Sequence, residues 1–194
     1  LVLSLTACGP KPMAPKAELD TPQHHVANGN KLLNAGKLEA AFTEFNRAME
    51  LDPKHSPAYL GMGIVYGLQG NFEGAFDSMK SADRYAEGDD EEFDVDVGYM
   101  RIYLNGAEAL DEDWLDSVYG YYRDAIRIDE NRPEPYYYMG LGYKASYEFR
   151  KAAAEFTRVL SIDKVLAAEA DREYAVIQRI ERAMPGTRGG KKIA

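Results

Sequence analysis

The sequence is poor in cysteine, in basic residues relative to acidic ones, and in long apolar runs. Its 194 residues include one cysteine, which excludes a disulfide framework or a cysteine-rich zinc site within one chain. Lysine and arginine number 23 against 32 aspartates and glutamates, so the formal net charge is −9. A phosphate backbone repels such a chain, and no nucleic-acid partner is expected. No run approaches the roughly 18 apolar residues that a membrane-spanning helix needs.

The composition that remains is typical of a folded domain. Apolar residues make up 45% of the chain and charged residues 28%, and the length suits one domain or two small ones. The motifs of catalysis are missing: there is no Gly-x-Ser-x-Gly elbow, no phosphate-binding loop and no His–Glu metal motif. We therefore expect neither an enzyme nor a resident cofactor or metal.

The first eight residues form a short apolar run that ends in small residues and the cysteine. The LTAC segment at positions 5–8 resembles the bacterial lipobox, in which diacylglycerol is attached to the thiol and cleavage leaves the cysteine first. The resemblance implies acyl chains on Cys8, and two chains give stable membrane anchoring. Gly9, rather than Asp, follows, which in that family favours the outer membrane. Residues 9–21 contain three prolines and are expected to form a tether.

A period of 34 residues runs through the rest of the chain. Four similar helical blocks begin at residues 38, 72, 115 and 149, so the spacings are 34, 43 and 34 residues. Large residues such as Phe45 and Phe156 recur within the blocks and would fill the space between helices. Small side chains at fixed offsets let neighbouring helices approach closely, and glycine offers the closest approach. One glycine precedes each block at a matching offset: Gly29, Gly63, Gly106 and Gly140.

This pattern resembles the tetratricopeptide repeat, whose 34-residue units have small residues at offsets 8, 20 and 27. The resemblance implies an all-α fold, a right-handed α-solenoid of about four helical hairpins with a C-terminal capping helix. Residues 22–184 would form this domain, followed by a flexible tail at 185–194. The expected repeats and capping helix are 22–55, 56–89, 99–132, 133–166 and 166–184.

Residues 90–98 are inserted between the second and third repeats. Phe93, Val97, Met100 and Leu104 keep helical spacing across the insertion, so it is expected to extend the first helix of the third repeat backward. We expect the longer helix to protrude from the edge of the superhelix. Deleting 90–98 would then leave the helicity per residue nearly unchanged.

In the family, the first helix of each repeat lines a concave face, mainly at offsets 2, 5, 9, 12 and 13. Members that clamp a peptide carboxylate carry lysine where this chain has Val26, Leu60 and Tyr103, so that clamp is not expected. An apolar groove with tyrosines remains, suited to an amphipathic helix or an extended peptide. The alternative is that these apolar residues are buried between helices. The expected groove residues are Asn30, Leu60, Ile64, Tyr103, Tyr137, Leu141 and Lys144.

Two other clusters have simpler interpretations. The acidic residues between Glu87 and Asp96 suit a solvated helix start, and a surface for a basic partner is the alternative. His24, His25 and His55 could converge on zinc or nickel, although histidines at helix starts are commonly surface residues.

These features predict a lipid-anchored scaffold or adaptor of the bacterial cell envelope. Its groove would bind a segment of an envelope protein, and acyl chains on Cys8 would hold it at the outer membrane, facing the periplasm. Such a protein could assist the assembly of envelope complexes or secretion. The alternative is an accessory lipoprotein of a transport system, in which Tyr103, Tyr137 and Leu141 wall a pocket for a small ligand.

Overall fold

A computed structural model describes residues 20–110, 112–162 and 166–183. The LTAC segment with Cys8, most of the expected tether and the tail at 185–194 lie outside these residues. The described part contains nine α-helices and no strand. None of its helices is both long and apolar enough to cross a membrane. The helices are α1 (Pro22–Asn34), α2 (Leu38–Leu51), α3 (Ser56–Leu68), α4 (Phe72–Tyr85), α5 (Asp89–Asn105), α6 (Trp114–Ile128), α7 (Glu134–Ala145), α8 (Phe149–Ile162) and α9 (Ala167–Ala183).

The helices pack as four consecutive hairpins, α1–α2, α3–α4, α5–α6 and α7–α8, followed by α9. The first helices of successive hairpins also contact each other, α1 with α3, α3 with α5 and α5 with α7, so they form one layer. Each second helix packs on the first helix of its own hairpin and on the helix that follows it, and α9 packs on α8 through the buried Ala170 and Ile177. The all-helical architecture of stacked hairpins that the 34-residue period predicts is confirmed.

In three hairpins the glycine at the predicted small position faces a large buried side chain: Gly29 faces Phe45, Gly63 faces Met79 and Gly140 faces Phe156. A Cβ atom added to Gly29 would lie 2.6 Å from the ring of Phe45, and one added to Gly61 of the next hairpin would lie closer still. Phe45 is fully buried between these two glycines. In the fourth hairpin, a Cβ on Gly140 would lie 2.7 Å from the ring of Phe156. The periodic glycines therefore mark the places where helices pack closely around a large buried side chain.

Short turns join the helices within these hairpins. Gly36 and Gly70 follow α1 and α3 with φ of +69° and +77°, the left-handed conformation that ends many helices and suits glycine. The corresponding turn after α7 places Tyr147 at φ 63°, with its side chain 74% exposed. The turn geometry is thus shared, although the residue that adopts it is not.

The third hairpin departs from the register that the sequence predicts. Helices α1, α3 and α7 end at residues 34, 68 and 145, each twelve residues after the expected start of its repeat. Helix α5 ends at Asn105, six residues before the end that a start at 99 implies. Gly106 caps α5 and does not lie inside a helix, and Met100 packs beside Val118 of α6 in its place. A longer connection, residues 106–113, then leads to α6.

The insertion at 90–98 belongs to the core. Helix α5 does begin early, at Asp89, as the helical spacing predicts. However, Phe93 and Val95 are 0% and 2% exposed, and Val97 is also buried. The expectation that this segment protrudes is therefore wrong. Its apolar residues pack against neighbouring helices: Phe93 and Val97 share a cluster with Ala125 of α6.

Candidate functional site

A cleft of about 450 Å³ opens between the first helices of the second, third and fourth hairpins. We call it the α3–α5–α7 cleft. Because α5 contacts both α3 and α7, it forms the middle of the cleft, and the other two helices form its sides. Its size falls in the range of ligand-binding sites in proteins. The lining residues are Ile64, Gly67, Leu68, Arg101, Ile102, Leu104, Asn105, Tyr137, Tyr138, Leu141 and Ala145.

Three of the expected groove residues lie together in this cleft. Ile64 comes from α3, and Tyr137 and Leu141 come from α7. Ile64 is only 7% exposed and also belongs to the core of the first two hairpins, so it forms the floor. Leu68, one turn further along α3, is 46% exposed and supplies apolar surface at the rim. The second and fourth hairpins thus bring some of their offset positions into one cleft.

Leu60 and Tyr103 lie outside the lining of the cleft. Leu60 packs against two buried clusters, one formed by α1, α2 and α3 and the other by α4 and α5, with its side chain over Gly98, as the alternative of burial between helices anticipated. The Tyr103 ring lies 5.1 Å from that of Phe76 and 6.1 Å from that of Tyr121, on second helices of the solenoid. Tyr103 faces these helices because α5 ends six residues earlier than the predicted register.

Asn30 and Lys144 also lie outside the lining. Asn30 is exposed on α1, in the first hairpin. Lys144 is half-buried on α7 and forms an ion pair with Glu173 of the last helix. This pair joins α7 to α9 and neutralises the lysine, so Lys144 does not contribute a free charge to the cleft.

Helix α5 supplies cleft residues that the repeat register missed, namely Arg101, Leu104 and Asn105. The Asn105 Nδ2 atom donates a hydrogen bond of 2.6 Å to the carbonyl oxygen of Gly67, which ties α5 to α3. The Arg101 guanidinium lies over the Tyr138 ring, 5.8 Å from its centroid. The sequence does contain an indication of these residues. If Gly106 is interpreted as the residue that ends α5, the predicted positions of the third repeat shift, and these residues fall on the concave side.

The acidic insertion is partly neutralised within the structure. The Arg132 guanidinium lies 3.7 Å above the Phe93 ring and donates to Asp94 at 2.8 Å and to Glu134 at 3.4 Å. Burial raises the pKa of Asp94, and the nearby charge and hydrogen bond of Arg132 oppose that rise. These contacts link α5 to the start of α7, which is a structural role for part of the acidic segment.

Asp96, on the same helix, has a strongly shifted pKa. The pKa is raised to about 7, and burial is the largest cause, followed by the carboxylates of Asp124 and Asp83. The charge of Arg127 lowers it, and that of Glu92 raises it. The half-buried carboxyl group is therefore largely protonated in the folded protein below neutral pH.

This shift predicts that the stability depends on pH. Between about pH 4 and pH 7 the folded protein binds more protons than the unfolded chain, so the free energy of unfolding falls as pH rises through this window. Replacing Asp96→Asn should raise the free energy of unfolding at pH 8 by about 1–2 kcal/mol, since solvent screens part of the effect. Urea unfolding at several pH values measures this gain, which should shrink toward pH 4. A gain that stays constant with pH would contradict the assignment.

One of the histidines at the start of the solenoid, His25, binds two carboxylates, whereas His24 pairs with the amide of Asn28. His25 lies 2.7 Å from Glu44 through Nδ1 and 3.0 Å from Asp20 through Nε2. Arg47 binds the other oxygen of Asp20 at 2.8 Å, and the two cations hold the pKa of that carboxyl at about 2. Within the ranges that the structure describes, no group of three or more His, Cys, Asp or Glu residues could hold a metal ion.

Known proteins share this architecture. No family model matches the chain. It is 24% identical over 154 residues to human tetratricopeptide repeat protein 6, a match that covers 79% of this chain and 26% of that protein. The chain therefore spans about a quarter of the length of that relative.

Two solved structures resemble the model over most of its length. The thermophilic TPR protein TTC0263 of Thermus thermophilus matches with a TM-score of 0.66 and 20% identity, covering 84% of this chain and 82% of that one. A chain from the crystal structure of the APC/C hetero-tetramer Cut9–Hcn1 matches with a TM-score of 0.65 and 14% identity, covering 87% of this chain and 32% of that one. These likenesses identify the fold as a solenoid of tetratricopeptide repeats.

Proposed function

We propose that this tetratricopeptide-repeat protein is a scaffold of the bacterial cell envelope that binds a peptide segment of another envelope protein in its α3–α5–α7 cleft. The observation that carries this proposal is the cleft itself, in which α3 supplies Ile64 and Leu68 and α7 supplies Tyr137 and Leu141 on either side of α5. Apolar and tyrosine side chains are suited to anchoring an amphipathic helix or an extended peptide, since they add contact area at low entropic cost.

Exposed apolar surface within the cleft supports a macromolecular partner. Leu68 is 46% exposed at the rim, and leaving such a side chain in water forfeits much of the stabilisation that its burial would bring. A peptide laid along the concave layer would cover Leu68 together with Tyr137 and Leu141. A small ligand of a transport system would instead occupy the cleft without extending beyond it.

The resemblance of residues 5–8 to a lipobox supports the envelope location. We propose that Cys8 carries the acyl chains and that the segment up to Thr21 connects them to α1. Thr21 caps that helix, because its hydroxyl accepts a hydrogen bond of 3.2 Å from the backbone nitrogen of His24. The folded part would then begin at a defined point at the end of the tether.

Two experiments on the full chain test the two parts of the proposal, peptide binding in the cleft and membrane anchoring through Cys8. Random 12-residue peptides displayed on phage are selected against the protein, and the affinities of selected peptides are measured by fluorescence anisotropy. Leu68→Asp should weaken binding at least tenfold, about 1.4 kcal/mol, because it places a charge in the apolar cleft. In a bacterial host, Cys8→Ser should move the protein out of the membrane fraction, and unchanged membrane association would refute the anchor.

Leu160→Asp is the matched control for the cleft. Leu160 is a leucine of similar exposure, 41%, on α8 and outside the cleft lining. Its substitution should leave peptide affinity unchanged. Equal losses in both variants would place the peptide elsewhere, and selection of no peptide would reject the scaffold. A bound small molecule in native mass spectrometry, displaced in Leu68→Asp, would favour the transport alternative.

A further inference from the structure

The cleft differs in charge from the rest of the molecule. The chain has 32 acidic residues and a net charge of −9, yet none of the described residues that line the α3–α5–α7 cleft carries a carboxylate. The charged residue among its lining residues is Arg101, and the others are apolar, tyrosine, glycine or asparagine. The cleft is therefore a positively charged site on an acidic protein.

Arg101 differs from the other half-buried cationic side chains in the described ranges. Arg47 binds Asp20 and Glu50, and Arg132 binds Asp94 and Glu134. Lys144 binds Glu173. Arg101 is half-buried as well, but none of the ion pairs in the described part of the chain includes it.

The surroundings of Arg101 favour a carboxylate as its partner. Its guanidinium lies over the Tyr138 ring, which holds the planar group by cation–π attraction. A guanidinium on an aromatic face keeps N–H donors at its edge, where they match the two oxygens of a carboxylate. Apolar walls lower the local dielectric constant and strengthen such a pair compared with one on an open surface.

The position of Arg101 indicates where the carboxylate lies in the bound segment. Helix α5 is the middle helix, with Ile64 and Leu68 of α3 on one side and Tyr137 and Leu141 of α7 on the other. Apolar anchors are therefore available on both sides of the charge. When the acidic residue lies inside the bound segment, the residues before and after it can both place apolar side chains in the cleft. A carboxylate at a chain terminus has neighbouring residues on one side only.

From this arrangement we infer that the segment bound in the cleft carries an aspartate or glutamate, flanked on both sides by apolar residues, which pairs with Arg101. The inference rests on the proposed function and specifies the partner's chemistry. It also explains why a positive charge is present in a cleft that is otherwise apolar.

The peptide selection tests the inference directly. Peptides selected on the wild-type protein should carry Asp or Glu between apolar residues, and those selected on Arg101→Glu should carry Lys or Arg at that position. For one selected peptide, Arg101→Gln should weaken binding at least tenfold, while a version with Gln in place of Glu should bind both proteins equally. Arg101→Glu should recover affinity for the version with Lys.

Arg158→Gln is the matched control, because the Arg158 guanidinium also lies over a tyrosine ring, 5.4 Å from the Tyr136 centroid, and outside the cleft lining. It should leave affinity unchanged. Two outcomes would overturn the inference and leave the proposed function standing. In one, the selected peptides lose affinity in Leu68→Asp but contain no Asp or Glu. In the other, their affinity is the same for the wild type and for Arg101→Gln. Loss of binding on amidating the peptide C-terminus, with no effect of the internal Glu, would assign the pair to a chain terminus and overturn it as well.

Discussion

Replacing Gly61 by alanine is expected to destabilise the protein by about 1–3 kcal/mol, although alanine is the better helix former by about 1 kcal/mol. The added methyl group would overlap the Phe45 ring, which is fully buried. The ring cannot retreat, because a Cβ on Gly29 would already lie 2.6 Å from it on the other hairpin. Urea unfolding followed by circular dichroism measures the loss.

Gly120→Ala is the control for this substitution. Gly120 lies inside α6, and an added Cβ would meet nothing within 4 Å. Because no overlap opposes the higher helix propensity of alanine, the variant should be more stable than the wild type by about 0.5–1 kcal/mol. Effects of opposite sign on the free energy of unfolding at Gly61 and Gly120 would identify packing against Phe45 as the reason for a glycine at position 61. A Gly61→Ala variant as stable as the wild type would refute the packing account.

Deleting residues 90–98 is expected to abolish cooperative folding of the third hairpin. The deletion removes Phe93 and Val95 from the core, and loss of a buried phenylalanine side chain alone costs about 3–5 kcal/mol. That is a large part of the roughly 5–15 kcal/mol by which a typical domain is stable. The mean helicity per residue, measured by circular dichroism, should fall markedly, contrary to the expectation drawn from the sequence.

Two point variants keep this prediction testable if the deletion fails to express. Phe93→Ala should lower the free energy of unfolding by about 3–5 kcal/mol, since it also removes the ring on which Arg132 lies. Glu92→Ala changes an exposed neighbour in the same segment and should stay within about 0.5 kcal/mol of the wild type. Similar small effects in both variants would mean that the insertion is peripheral.

The first, second and fourth hairpins were accessible to sequence reasoning because their signals are local and repeated. Glycine at one offset, a large side chain in the facing helix (Phe45, Met79 or Phe156), and a short turn recur with little variation. Each hairpin contacts mainly its neighbours, so the sequence of one unit largely specifies its packing. The resemblance to the family predicted Ile64, Tyr137 and Leu141 as groove residues, and the structure brings these three into the cleft.

The third hairpin shows where such reasoning stops. Its extra residues could lengthen the start of α5, the connection after it, or both, and helical spacing continues through either arrangement. In the structure the extra residues lie in both places: α5 starts early at Asp89 and ends at Asn105, and the connection to α6 is longer than in the other hairpins. A shift of six residues turns a helix by well over one full turn and changes which side chains face the cleft. Tyr103 therefore faces Phe76 and Tyr121, while Arg101 enters the cleft.

The amino-acid sequence by itself determined the helical hairpin, its period and the close contacts at glycine, because short-range spacing encodes them. Only the tertiary structure decided how α5 is aligned between α3 and α7, and therefore that an arginine lies in an apolar cleft of an acidic protein. The physical reason is that the alignment of α5 depends on burying Val95 against α4, and Phe93 and Val97 against α6 and Tyr138 of α7. Part of that free energy comes from contacts with the neighbouring hairpins, which the spacing within one hairpin does not encode.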